Sequence, residues 1–220
     1  MSKPILYHCA DARSFRCLWL AEELGLEFVL ETMPFPPRVH VPAYKEINPL
    51  GTIPCWVEGD IKLTESTAIC QWLARGSPLE VAQADVAWPD YINWLHRSDA
   101  TLTFPLAIML RYSVFPRPEE RKLDVAEDYK LFFLGRARSI EAALSDGRDY
   151  LCAGRFTVAD IAVGYAVMLS LTLGLASELG PLTVGWWERL ASRPGYLAAK
   201  ARQKLPGSGR ESVDSRIPFA

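Results

Sequence analysis

Apolar and polar positions follow two different rhythms along this chain. Near the start, short β-prone runs alternate with helical ones. Pro4-Ile5-Leu6-Tyr7-His8 is the first β-prone run, and Ala10 to Arg13 is small and polar, as in a loop. From Ser14 to Leu24 the apolar residues Cys17, Leu18, Leu20, Ala21 and Leu24 make one face of a helix, and Gly25 stands at the C-cap. Glu27-Phe28-Val29-Leu30-Glu31 is a second strand. Strand, helix and strand in this order predict a parallel pair joined by a right-handed crossover. Met33 to Pro42 is proline-rich and aperiodic, hence a loop. Ile53-Pro54-Cys55-Trp56-Val57 and Ile61-Lys62-Leu63-Thr64 read as two strands about the turn Glu58-Gly59-Asp60. Ser66 to Leu73 then reads as a helix with Ala68, Ile69, Trp72 and Leu73 on one face.

Gly76-Ser77-Pro78 closes this part, and residues 79 to 86 form a linker. Beyond it no strand pattern recurs. Asp90 to Arg111 is helical, with Tyr91, Trp94, Leu95, Leu102, Leu106 and Met109 as a buried stripe and a kink expected at Pro105. Pro118 to Asp146 is a second helix, and its charged start fits a solvated face. Phe156-Thr157-Val158-Ala159-Asp160 opens a third helix with a Thr-x-x-Asp variant of the capping box. Thr183 to Ser192 and Tyr196 to Gln203 are shorter helices, and the tail from Pro206 is loosely ordered or packed as a strap. The pattern predicts an α/β domain over 1–78, an all-α domain over 87–204 and a C-terminal tail over 205–220.

Composition narrows the function classes. The chain has 220 residues and a net charge of −2, so no electrostatic footprint points to nucleic acid. No apolar run reaches membrane-spanning length, and the N-terminus has no signal-peptide core, so a cytoplasmic protein is expected. The five cysteines are odd in number and form no C-x-x-C pair, which predicts free thiols, with Cys17, Cys55 and Cys70 as small core residues. The three histidines show no metal-ligand spacing, and no metal site is expected.

The chemistry concentrates between residues 48 and 73. Asn48-Pro49-Leu50-Gly51 is turn chemistry. Glu65-Ser66 falls where a strand gives way to a helix. The first N–H groups of a helix lack intrahelical partners and carry partial positive charge, so they and the Ser66 hydroxyl suit a carboxylate. Glu65 beside them suits an ammonium group, and a carboxylate and an amine side by side are an amino-acid head group. The other role open to Ser66 is a plain helix cap.

Asn48-Pro49-x-Gly51-x-Ile53-Pro54, then strand, turn and strand, then Glu65-Ser66-x-Ala68-Ile69-x-x-x-Leu73, resembles the glutathione S-transferase family. The helix from Ser14 to Leu26 is similar to the opening helix of many bacterial and fungal members. The resemblance covers residues 1 to 204 and implies a thioredoxin-like α/β N-terminal domain followed by an all-α C-terminal domain. It implies glutathione as co-substrate, with Pro54 as a cis-proline, Ile53 offering its backbone to the glutathione cysteine, and Glu65 and Ser66 holding the γ-glutamyl end. Thr52 stands where the family usually carries a basic residue or glutamine. A free thiol is only a few per cent thiolate at pH 7, and lowering its pKa by about two units makes the thiolate the major form. In this family the activating group is a Tyr, Ser or Cys near the end of the first strand or in the loop after it. Tyr7 and Ser14 are the candidates here, followed by Cys9, and Arg13 is placed to add positive potential. The second substrate would lie between the domains, against Trp94, Arg97, Phe104, Ile108 and Tyr112.

The resemblance therefore implies an enzyme, a glutathione transferase that acts on a small hydrophobic electrophile in a homodimer without nucleic-acid or membrane partners. The alternatives are a glutathione-dependent isomerase, reductase or lyase of one metabolite, and a non-catalytic interaction protein of the same fold.

Overall fold

The computed structural model describes residues 3–203. The expected tail from Pro206 lies outside the described residues. Packing divides the chain into two units: 3–80 together with 191–203, and 81–190.

The first unit is built on four strands, β1 (Ile5–His8), β2 (Val29–Thr32), β3 (Cys55–Glu58) and β4 (Ile61–Leu63), in the order β2-β1-β3-β4. β1 and β2 run parallel, and β3 is antiparallel to β1 and to β4. The parallel pair is joined by α1 (Phe15–Glu23), as the strand-helix-strand pattern requires. β3 starts at Cys55, two residues later than the apolar run, because a proline nitrogen has no proton to give the ladder. The segment 33–42, read as a loop, holds a single-turn helix, α2 (Pro37–His40), and a second one, α3 (Tyr44–Ile47), follows it.

Two helical faces differ from the sequence reading. α1 is buried from Phe15 to Ala21, on every side and not on one stripe. The cause is that α1 is sandwiched between α4 (Ser66–Ala74) and α10 (Pro194–Arg202), a helix that the sequence reading places in the helical domain. Trp19 and Tyr196 meet edge to face at 5.1 Å, and Arg193 pairs with Glu23 at 2.9 Å. In α4 the buried face is Ser66, Ile69, Cys70 and Ala74. Ala68 is exposed, and Trp72 is half-buried with its indole N–H donating to Glu58 at 3.1 Å. A polar partner at its tip lets the indole stay at the surface.

The second unit is helical: α5 (Trp88–His96), a π-helical segment (Arg97–Thr103), α6 (Phe104–Ser113), α7 (Leu123–Leu144), α8 (Val158–Thr172) and α9 (Pro181–Ala191). Tyr91, Trp94, Leu95, Leu102, Leu106 and Met109 are all buried, as their spacing predicts. Pro105 is accommodated by the wider π turns before it. Its nitrogen cannot serve the preceding turn, and the hydroxyls of Ser98 and Thr103 bond to the carbonyls of Leu95 (2.6 Å) and Ser98 (2.7 Å). α8 is buried from Val158 to Ser170 and forms the core of this unit. No helix among the described residues is long and apolar enough to cross a membrane.

Candidate functional site

The carboxyl end of β1 meets the start of β3. Tyr7 pairs with Cys55, so the loop from Cys9 to Ser14 leaves the sheet beside Ile53-Pro54. The Ile53–Pro54 peptide is cis, the isomer that the resemblance implies. Pro54 is buried, Ile53 half-buried and Thr52 exposed. A set of hydrogen bonds fixes the turn before them. Asn48 Oδ1 accepts from the Leu50 amide at 3.2 Å, while Asn48 Nδ2 and the Tyr44 hydroxyl both donate to the Thr52 carbonyl at 2.8 Å. Gly51 has φ +62°, and a Cβ there would stand 2.8 Å from that of Arg38, so only glycine fits.

At the other corner of this unit α4 begins. Glu65 is exposed, with φ −94° and ψ 123°, and no side chain caps the helix. Among the described residues the amides of Ser66, Thr67 and Ala68 have no acceptor, whereas the Ile69 amide bonds to the Glu65 carbonyl at 2.8 Å. Ser66 is buried, and its Oγ accepts from Nη1 of Arg16 at 3.0 Å. Arg16 is itself fully buried. Unspent amides, a buried hydroxyl and a guanidinium behind it make a corner that favours an anion, with the Glu65 carboxylate exposed at its edge. Arg16 was missed in the sequence, although an arginine inside the apolar run Phe15–Ala21 is the signal that finds it.

The thiol-side candidates differ in availability. Ser14 is fully buried. Its Oγ accepts from the Cys9 amide at 3.2 Å and donates to the Cys9 carbonyl at 3.3 Å, so it ties the loop to itself and does not cap α1. The buried Cys9 thiol is pushed up to about 12 by desolvation and stays protonated. Tyr7 is half-buried, with its ring 5.5 Å from that of Tyr44. Burial, then the charge of Glu31, raises its pKa and keeps the phenol a proton donor. His8 is fully buried, and neither ring nitrogen meets a hydrogen-bond partner among the described residues. Burial lowers it to about 4 against smaller upward pulls, the largest from the nearby Gln203 amide, which does not reach hydrogen-bond geometry. Arg13 is half-buried on the same loop.

In the helical unit, Phe104, Ile108 and Tyr112 follow one another at four-residue steps along α6 and share a face. Phe104 is 48% exposed and meets Tyr129 edge to face at 6.4 Å. Trp94 lies in the core of the unit, with the Arg97 guanidinium 4.5 Å from its ring centre.

Two profiles of one family match the chain: "Glutathione S-transferase, N-terminal domain" over residues 12–75 and "Glutathione S-transferase, C-terminal domain" over residues 106–194. Glutathione S-transferase 1 of Saccharomyces cerevisiae is 28% identical over 236 residues, covering 94% of this chain and 99% of that protein. Glutathione S-transferase 3 of Zea mays is 27% identical over 207 residues, covering 87% and 90%. Among solved structures, the glutathione transferase URE2P8 of Phanerochaete chrysosporium with oxidized glutathione superposes with a TM-score of 0.82 at 19% identity, covering 96% of this chain and 99% of that one. A glutathione transferase of Methylococcus capsulatus gives 0.80 at 22% identity, covering 91% and 98%. With a thioredoxin-like unit, a helical unit and both family profiles in order along it, the chain belongs to the glutathione S-transferase family.

Proposed function

We propose that this protein is a glutathione transferase that activates the glutathione thiol for attack on a small hydrophobic electrophile. The observation that carries the reading is the uncapped start of α4, where Ser66 rests on the buried Arg16 guanidinium. The γ-glutamyl carboxylate takes the amides of Ser66, Thr67 and Ala68 together with the Ser66 hydroxyl, and the exposed Glu65 takes the ammonium group. Ile53 meets the cysteinyl backbone, Pro54 shapes that edge, and Thr52 flanks the tripeptide. The thiol then lies by the end of β1. We assign the donor role to Tyr7, because the Ser14 hydroxyl is spent on Cys9 and the Tyr7 phenol keeps its proton. The thiol proton passes to solvent and the phenol donates to the thiolate. Sulfur forms a bond to the electrophilic carbon; at an aryl halide the halide departs with its electron pair, and at an enone the C=C electron pair moves to the carbonyl oxygen and the α-carbon takes a proton from solvent.

The stripe of exposed Phe104 and half-buried Ile108 and Tyr112, with half-buried Arg97 backed by the buried Trp94 ring, is the helical unit's contribution to binding the electrophile, and Arg13 adds positive charge on the loop. The functional assembly is a homodimer, which light scattering across a dilution series tests by its mass. Retention on immobilised glutathione, followed by turnover of a panel of aryl halides and enones, tests the activity. A protein that is retained but inactive on the whole panel belongs with the single-metabolite enzymes, and one that is not retained has lost the glutathione site.

A further inference from the structure

The last described helix reaches back to the first residues of the chain. Arg202 meets Glu22 at 2.6 Å, and Arg193 holds both carboxylate oxygens of Glu23 at 2.9 Å. These two pairs tie α10 to α1. Two other side chains of this helix end converge on the loop after β1. Lys200 Nζ lies 2.6 Å from Asp11 Oδ1, and Gln203 Nε2 donates to the same oxygen at 2.7 Å. The Asp11 amide returns a bond to Gln203 Oε1 at 3.1 Å. The Asp11 side chain is 8% exposed, and its φ of +53° lies in the left-handed region, which Asp tolerates better than most residues with a Cβ. The Cys9–Ser14 pair closes the base of this loop, and α10 fixes its middle.

The location gives the contact a consequence. Because Tyr7 pairs with Cys55, the loop runs beside Ile53-Pro54, where the glutathione sulfur belongs on the reading above. A carboxylate there has the wrong sign, since a nearby negative charge opposes a thiolate. The other titratable groups around it are His8, buried and neutral at the end of β1, Arg13 on the same loop, and the protonated Tyr7 and Cys9. We propose that Lys200 and Gln203 are positioning residues for the thiol end of the glutathione site: they hold Asp11, and through it the loop from Cys9 to Ser14, in one shape, and Lys200 cancels the Asp11 charge where the thiolate must form. The inference rests on the glutathione-transferase reading, but the strut itself is testable without it.

The first arm needs no glutathione. In the free protein, Lys200→Met keeps the aliphatic stem and removes the charge, and Gln203→Leu removes the amide. Amide hydrogen exchange at Ala10–Arg13 is expected to quicken about tenfold in each variant, with β3 unchanged. Unchanged loop exchange would overturn the strut, whether or not the protein binds glutathione. The second arm follows the bound thiol by ultraviolet absorbance of the thiolate against pH. Lys200→Met is expected to raise the thiol pKa by about one unit, a tenfold fall in the thiolate ratio, and to move the pH profile of kcat/KM by the same amount. Affinity for S-methylglutathione, which has no thiol proton, is expected to change less than about threefold, within the spread of a surface substitution. Lys200→Arg should restore the wild-type profile, and Asp11→Asn combined with Lys200→Met should bring the thiol pKa back down. A thiol pKa unmoved by Lys200→Met, or a double variant that stays as high as the single one, would overturn the charge-cancelling role. If the folded wild type binds no glutathione, the exchange arm still decides the strut, and the failure belongs to the transferase reading.

Discussion

α8 and α4 both start beside a hydroxyl residue, yet their first turns are in opposite states. At α8 a reciprocal capping box closes the turn. The Thr157 hydroxyl accepts from the Ala159 amide at 3.2 Å, and the Asp160 carboxylate accepts from the Thr157 amide (2.9 Å), the Thr157 hydroxyl (3.2 Å), the Leu151 amide (3.0 Å) and the Trp186 indole (3.2 Å). The α9 start is closed likewise, by the Glu141 carboxylate on the Leu182 and Thr183 amides. Among the described residues α4 has no such partner, and its buried serine sits on a buried guanidinium. A saturated helix start is a structural joint, whereas an unsaturated one with a cation behind it is ready for an anionic ligand. Substitutions at α8 should therefore change stability, and those at α4 should change binding.

The largest effect is expected from Asp160→Ala, which leaves four buried donors without an acceptor. Denaturant unfolding should show a loss of about 3–5 kcal/mol, and glutathione affinity of the folded protein should hold. A loss below about 1 kcal/mol would mean that the joint is not structural.

The charge of the same residue gives a pH test. Burial pushes the Asp160 carboxyl up to about 6, with the four donors limiting the rise. The raised value means that the folded state binds the proton more tightly than the unfolded state. The contribution of Asp160 to stability is therefore highest in acid and falls as pH rises from about 4 to about 6, by about 3 kcal/mol in all. Denaturant midpoints of the wild type and Asp160→Asn, taken at half-unit pH steps, should show the wild type losing ground to the variant over that interval and running parallel above it. Parallel curves throughout would place the folded carboxyl at its ordinary value.

Thr157→Ala should cost about 1–2 kcal/mol through the lost cap, without changing glutathione affinity. Lost binding with an unmoved midpoint would break the division between the two helix starts.

How far these features can be read from sequence depends on how local their causes are. Strand runs, turns and the Thr-x-x-Asp box depend on neighbours within a few residues, and the order of the four strands with α1 and α4 was legible, whereas the single-turn helices α2 and α3 were not. So was the Glu65-Ser66 junction, because a strand end and a helix start mark it. The burial of α1 on all sides was not, because the helix that covers it, α10, lies some 170 positions later in the sequence, the separation of the Arg193–Glu23 pair. Arg16 was hidden for the same reason, since its partner is Ser66, 50 residues on. Ser14 is a candidate for activating the thiol from its place in the loop before α1, but its hydroxyl turns to the Cys9 backbone. The π segment before Pro105 depends on which carbonyls Ser98 and Thr103 reach, and helical periodicity does not carry that information.

The central claim is that the open start of α4 holds the γ-glutamyl end of glutathione. Titration calorimetry of glutathione into the folded wild type and the folded Ser66→Ala variant tests it most directly. Binding by the wild type and a loss of about 1–3 kcal/mol in the variant, the cost of leaving a polar group unpaired in the site, is the expected result. Equal affinity in the two proteins, or no binding by the wild type, would contradict it.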